Sequence, residues 1–107
     1  GLYQIPLLTT LGLEASGTVE AIGSDVSRFK AGDRVAYTNV LGAYAEYSVV
    51  DQDKVVALPD GVSFNEGAAA MLQGCTAHYL SQSTYPIKKG DSCLIHAAAG
   101  GVGLILT

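Results

Sequence analysis

Read for apolar and polar positions, the chain opens with strand-like patterning, passes into a helix, and returns to a strand and a helix start. Across residues 12–50, Thr18-Val19-Glu20-Ala21-Ile22 alternates weakly. Arg34-Val35-Ala36-Tyr37 and Tyr44-Ala45-Glu46-Tyr47-Ser48-Val49-Val50 are rich in β-branched and aromatic residues, which suit a pleated, half-buried surface. Gly17, Gly23, Gly32 and Gly42 punctuate these runs, as expected of short antiparallel strands turning corners in a small barrel. One more strand is predicted at Asp53-Lys54-Val55-Val56-Ala57-Leu58, closed by the turn Pro59-Asp60-Gly61.

The period then changes. Ser63-Phe64-Asn65-Glu66 has the spacing of a capping box, in which serine and glutamate side chains satisfy each other's free backbone N–H groups. Ala68, Ala69, Met71, Leu72, Ala77 and Leu80 carry a helix to about Ser81. Tyr85-Pro86 ends that region, because a residue before proline avoids the α conformation. Asp91-Ser92-Cys93-Leu94-Ile95-His96 then reads as a short buried strand, and Leu104-Ile105-Leu106 as the first turn of a helix. Lys30-Ala31-Gly32-Asp33 and Lys88-Lys89-Gly90-Asp91 look alike, and each reads as a polar turn before a strand. The fold class is therefore mixed β and α/β: a β-rich unit followed by the opening of an α/β unit.

Composition narrows this little but excludes much. Of 107 residues, 49% are hydrophobic and 15% charged, enough to bury a core and too apolar for intrinsic disorder. Six Lys/Arg against ten Asp/Glu leave a net charge of −4, which speaks against nucleic acid as a partner. No apolar run approaches the roughly 20 residues that cross a bilayer, and the start has neither the charged nor the apolar part of a signal peptide. Two cysteines without a leader point to a reducing, cytoplasmic compartment. The chain lacks an initiating methionine and stops one apolar turn after its glycines. Such a turn is too short to be stable alone, so further sequence is expected.

The chemistry sits near the end. Ala98-x-Gly100-x-x-Gly103 matches the dinucleotide fingerprint, with alanine in place of the first glycine. A loop without side chains lets backbone amides reach a pyrophosphate. The helix that follows adds free N–H groups and partial positive charge. Gly103 would let that helix pack closely. The alternative reading is a tight strand-to-helix turn with no ligand. A P-loop is excluded, since no Gly-Lys-Ser/Thr follows.

Around these residues the chain resembles the quinone oxidoreductase (zeta-crystallin-like) branch of the medium-chain dehydrogenase/reductase family. His96-Ala97-Ala98-Ala99-Gly100-Gly101-Val102-Gly103 looks like its cofactor loop. Leu11-Gly12-Leu13-Glu14-Ala15-Ser16-Gly17 through Gly32-Asp33-Arg34-Val35 resembles its barrel signature. Gln73-Gly74-Cys75-Thr76-Ala77-His78-Tyr79-Leu80 resembles the helix lining its nicotinamide site, and Gly1-Leu2-Tyr3 the segment after its first active-site helix. The resemblance implies most of a GroES-like barrel over residues 1–62, truncated at its N-terminal side. Residues 63–107 would be a linking helix and the first strand and glycine loop of a truncated Rossmann domain. It further implies NADPH held by Ala99, Gly100, Gly101, Val102 and Gly103, with Thr76 near the nicotinamide carboxamide and Tyr3 in the substrate pocket. A quinone or conjugated enone would be the substrate, and the full-length protein a possible homodimer.

Each assignment has a plainer rival. Thr76 could simply bond its own preceding helical turn, and Tyr3 could be an exposed aromatic near a frayed end. Tyr37, Tyr44 and Tyr47 read as strand packing, and Glu14 as a structural acid. Zinc-dependent relatives carry Gly-His-Glu where Gly12-Leu13-Glu14 stands, and leucine cannot ligate a metal. Cys75-x-x-His78 shares a helix face, but Cys93-x-x-His96 on a strand points to opposite faces, so no metal site is expected. Asp51-x-Asp53 begins like a calcium loop but has Val56 and Val62 where glycine and glutamate are needed. Two rival functions remain: a noncatalytic barrel module that binds a protein partner, and a relative of zinc alcohol dehydrogenase.

Overall fold

The computed structural model describes residues 6–107. The chain divides into two compact units, Gly1–Ala69 and Ala70–Thr107.

The first unit is built on a three-stranded antiparallel sheet of order β1-β2-β3, with β1 at Glu14–Thr18, β2 at Arg34–Thr38 and β3 at Val55–Ala57. β1 pairs with β2 from Glu14 opposite Thr38 to Thr18 opposite Arg34. β2 pairs with β3 from Val35 opposite Ala57 to Tyr37 opposite Val55. Ala36, Tyr37, Val55 and Leu58 are buried here. Tyr37 is thus a packing residue, as its strand context predicts, and its hydroxyl finds no hydrogen-bond partner among the described residues.

Three expectations for this unit are corrected. The first strand runs over Glu14–Thr18 rather than over residues 18–22; beyond it, Val19 still pairs with Asp33 O and Gly32 N. Gly17 accordingly lies inside a strand rather than at a corner. The residues of Tyr44-Ala45-Glu46-Tyr47-Ser48-Val49-Val50 form no strand, and Tyr44, Tyr47 and Val49 are exposed. Strand propensity is a packing preference that needs a neighbouring strand, and none pairs with this segment among the described residues. Gly12, which the pattern did not single out, is the glycine this stretch depends on: its φ is +93°, and a Cβ there would stand 2.8 Å from the Tyr44 amide nitrogen. Before β3 the chain makes a turn of 3-10 helix at Gln52–Lys54, where the Asp51 carboxylate accepts from the Asp53 amide at 2.9 Å.

Helix α1 spans Phe64–His78 and continues as a wider π-type turn over Tyr79–Thr84. Its start is the expected capping box: Glu66 N–H donates to Ser63 Oγ at 3.3 Å, and Ser63 N–H to Glu66 Oε2 at 2.9 Å. A second device was not visible in the pattern. Arg34 donates from Nη1 to Pro59 O and from Nη2 to Val62 O (2.8 and 2.5 Å), and its guanidinium lies 4.7 Å from the Phe64 ring centroid. One planar cation thereby ties β2 to the turn and the helix start. Gly67 lies over Leu58, whose Cδ1 would be 2.6 Å from a Cβ at that position, and Ser16 Oγ donates to Phe64 O. Helix and sheet touch through small residues.

In the second unit, Tyr85 is extended (φ −142°, ψ 106°), ending the helical stretch before Pro86 as predicted. The two Lys-x-Gly-Asp turns prove to be the same structure made twice. Asp33 Oδ2 accepts from Lys30 N–H, and Asp91 Oδ2 from Lys88 N–H, both at 2.9 Å, with Gly32 and Gly90 at φ +91° and +98°. The predicted strand after the second turn is corrected: residues 91–95 belong to no strand, and Leu94 is 82% exposed. Its sequence suits a strand buried on both faces, but no neighbouring strand pairs with it among the described residues. Helix α2 spans Gly101–Leu106, beginning within the glycines rather than after them.

Candidate nucleotide-binding site

The glycine loop turns sharply at Ala97 (φ 52°), where Gly100 N–H closes the bend onto Ala97 O at 2.8 Å. Gly100 is the N-cap of α2, with extended backbone (φ −80°, ψ 167°) and no side chain to cap the helix. The first bond into the helix is Leu104 N–H to Gly100 O at 2.8 Å. The amides of Gly101, Val102 and Gly103 precede that bond and are the free donors of a helix start. No side chain between residues 92 and 107 is a carboxylate, so none in the loop competes for those donors. An anion placed there would meet N–H groups and the positive end of the helix.

Gly103 is buried, and a Cβ on it would lie 2.3 Å from Ala97 O and 2.6 Å from Ala98 Cα. These are main-chain atoms, so any side chain would push α2 off the loop. The expected role of Gly103 in close packing is thus seen against the loop's own backbone. Gly101 faces a different neighbour: its Cβ would fall 2.0 Å from Gln73 Oε1. A cleft of about 440 Å³ opens beside the loop, lined by Leu80, Leu94, Ile95 and His96 together with Gly100 and Gly103. Bare main chain, unpaired amides and an adjacent cleft fit a dinucleotide diphosphate.

Ala99, Gly100, Gly101, Val102 and Gly103 are therefore brought together on one bend. Thr76 lies on α1, half-buried, and its Oγ1 donates to Leu72 O at 2.7 Å. That is the backbone bond of the plainer reading; the oxygen's lone pairs still allow it to accept. Tyr3 lies outside the described residues. Gln73, given no role by the sequence pattern, is the residue of α1 that reaches the loop. Its spacing of three from Thr76 puts both on one helix face, which is the signal that could have pointed to it. Cys75 and Cys93 are free and exposed, and among the described residues no three His, Cys, Asp or Glu side chains gather as metal ligands. No helix among them is long and apolar enough to cross a membrane.

Residues 1–60 match the family model described as the alcohol dehydrogenase GroES-like domain. The chain is 56% identical over 106 residues to a quinone oxidoreductase of Pseudomonas aeruginosa, covering 97% of this chain and 33% of that protein. Against quinone oxidoreductase 1 of Escherichia coli it is 50% identical over 107 residues, covering 98% and 33%. The crystal structure of E. coli quinone oxidoreductase complexed with NADPH superimposes with a TM-score of 0.93 at 49% identity, covering 99% of this chain and 33% of that one. The chain thus spans about a third of the length of these relatives. It belongs to the alcohol dehydrogenase GroES-like domain family and, within it, is similar to the quinone oxidoreductases.

Proposed function

We propose that the protein is an NADPH-dependent quinone oxidoreductase that delivers reducing equivalents to a quinone or conjugated enone without zinc. The observation that carries this reading is the bend at residues 97–103: main chain with free amides, closed by a glycine that no other residue can replace without moving α2. The likeness to a structure that holds NADPH supports the choice of cofactor.

Gly101, Val102 and Gly103 would hold the diphosphate through their free backbone N–H groups, with Ala99 and Gly100 shaping the bend beneath it. Thr76 Oγ1 would accept from the nicotinamide carboxamide while its hydroxyl hydrogen remains donated to Leu72 O. Tyr3 orients the acceptor oxygen, a role resting on resemblance. Bound NADPH supplies a hydride at its nicotinamide ring, and the protein's share is placement and exclusion of water. Leu13 has no donor atom for a metal, so no Lewis acid is supplied at that position. An acceptor already electrophilic by conjugation suits that arrangement. The same reading divides the chain into a barrel portion, residues 1–62, and a linking helix with the Rossmann entrance, residues 63–107. It places the protein in a reducing, cytoplasmic setting, which the free cysteines suit, with a homodimer as its assembly.

The test is a titration of the full-length protein with NADPH, followed by nucleotide fluorescence, and then addition of a quinone. Saturable binding and quinone-stimulated oxidation of NADPH are expected. Absence of saturable binding overturns the reading in favour of a noncatalytic module.

A further inference from the structure

The glycines of the loop answer to two different neighbours, and one of these lies outside the loop. Gly103 is held by main-chain atoms of Ala97 and Ala98, and Gly100 stands 3.2 Å from Ala97 O by the same measure. Gly101 is helical, with no positive φ, so its backbone suits any residue. Glycine in a helix is disfavoured by about 1 kcal/mol relative to alanine, so its presence there needs a steric cause. The three atoms nearest a Cβ at residue 101 all belong to Gln73: Oε1 at 2.0 Å, Cδ at 2.4 Å and Nε2 at 3.0 Å. The Gln73 carboxamide has no hydrogen-bond partner of its own among the described residues, and Gln73 is half-buried.

Building on the reading of this bend as an NADPH diphosphate site, we infer that Gln73 is a positioning residue for the glycine loop. Its carboxamide occupies the space of a side chain at residue 101. It thereby imposes glycine there and seats the first turn of α2. The requirement for glycine at residue 101 comes from the protein, not from the nucleotide.

A double-mutant cycle on the full-length protein tests this, with NADPH dissociation constants from fluorescence and the Tm of the apoprotein as readouts. Gly101→Ala is expected to weaken NADPH binding about tenfold with Gln73 present, and less than about threefold in a Gln73→Ala background. The apoprotein Tm should show the same non-additivity. An equal loss in both backgrounds, with additive Tm values, overturns the proposal, since the nucleotide itself would then exclude the methyl group. Gln73→Glu keeps the shape and adds a charge. It should raise the dissociation constant about tenfold at low salt and much less at high salt, where exposed charges are screened. A loss independent of salt also counts against the proposal. If the unsubstituted protein binds no NADPH, the nucleotide reading fails, and the apoprotein Tm cycle alone then decides whether Gln73 sets residue 101.

Discussion

At the residue scale, Glu66 is the group whose titration is tied to the fold. Hydrogen bonds from the Ser63 hydroxyl, and then from the Ser63 backbone N–H, hold its carboxyl below the ordinary value of 4.5. The folded chain therefore binds that proton less readily than the unfolded chain. The resulting stabilisation is present above pH 4.5 and is lost as pH falls through the lowered folded value. Chemical denaturation between pH 7 and pH 3 should show that Glu66→Gln flattens this acid limb. Ser63→Ala is expected to lower Tm by roughly 4–8 °C, the usual effect of losing one N-cap in a unit of this size. The box was legible in the sequence because its partners lie three residues apart. Arg34 was not, because its acceptors at Pro59 and Val62 are distant in sequence and close only through the pairing of β2 with β3.

Elements depend on such contacts in different degrees. The join between sheet and helix in the first unit rests on Arg34 and on Leu58 against Gly67. Arg34→Lys keeps the charge but loses the planar fork, and should cost about 1–2 kcal/mol in urea unfolding. Leu58→Ala removes a buried side chain beneath the helix and should cost about 2–4 kcal/mol by the same measurement. At the glycine loop, Gly103→Ala forces a methyl group onto Ala97 O. NADPH affinity of the full-length protein is expected to fall at least about tenfold, since the donors of α2 must move off the anion. Substitution of Ala99, whose side chain is exposed, should change affinity much less.

At the scale of the whole molecule, residues 1–60 carry the family match and the second unit carries the glycine loop. The extended residues 91–95 have no sheet around them among the described residues, and the loop's cleft is open. The 107 residues alone should therefore bind NADPH weakly, with a dissociation constant well above micromolar by fluorescence titration; tight binding would contradict this. Metal analysis of the full-length protein should find no stoichiometric zinc, and chelators should leave quinone-dependent NADPH oxidation unchanged, because leucine at position 13 offers no ligand.

Local chemistry was readable from the chain itself. The capping box, the twin Lys-x-Gly-Asp turns, the break before Pro86 and the glycine bend each depend on backbone conformations and partners within a few residues, so spacing alone determined them. Pairing was not. Tyr44-Ala45-Glu46-Tyr47-Ser48-Val49-Val50 and Asp91-Ser92-Cys93-Leu94-Ile95-His96 have the composition of strands yet form none, because a strand exists only where another lends it hydrogen bonds. The same holds for Gln73 and Gly101, 28 positions apart in the chain. Only the tertiary structure sets one against the other, since nothing in sequence spacing encodes a steric contact between side chain and backbone across that separation.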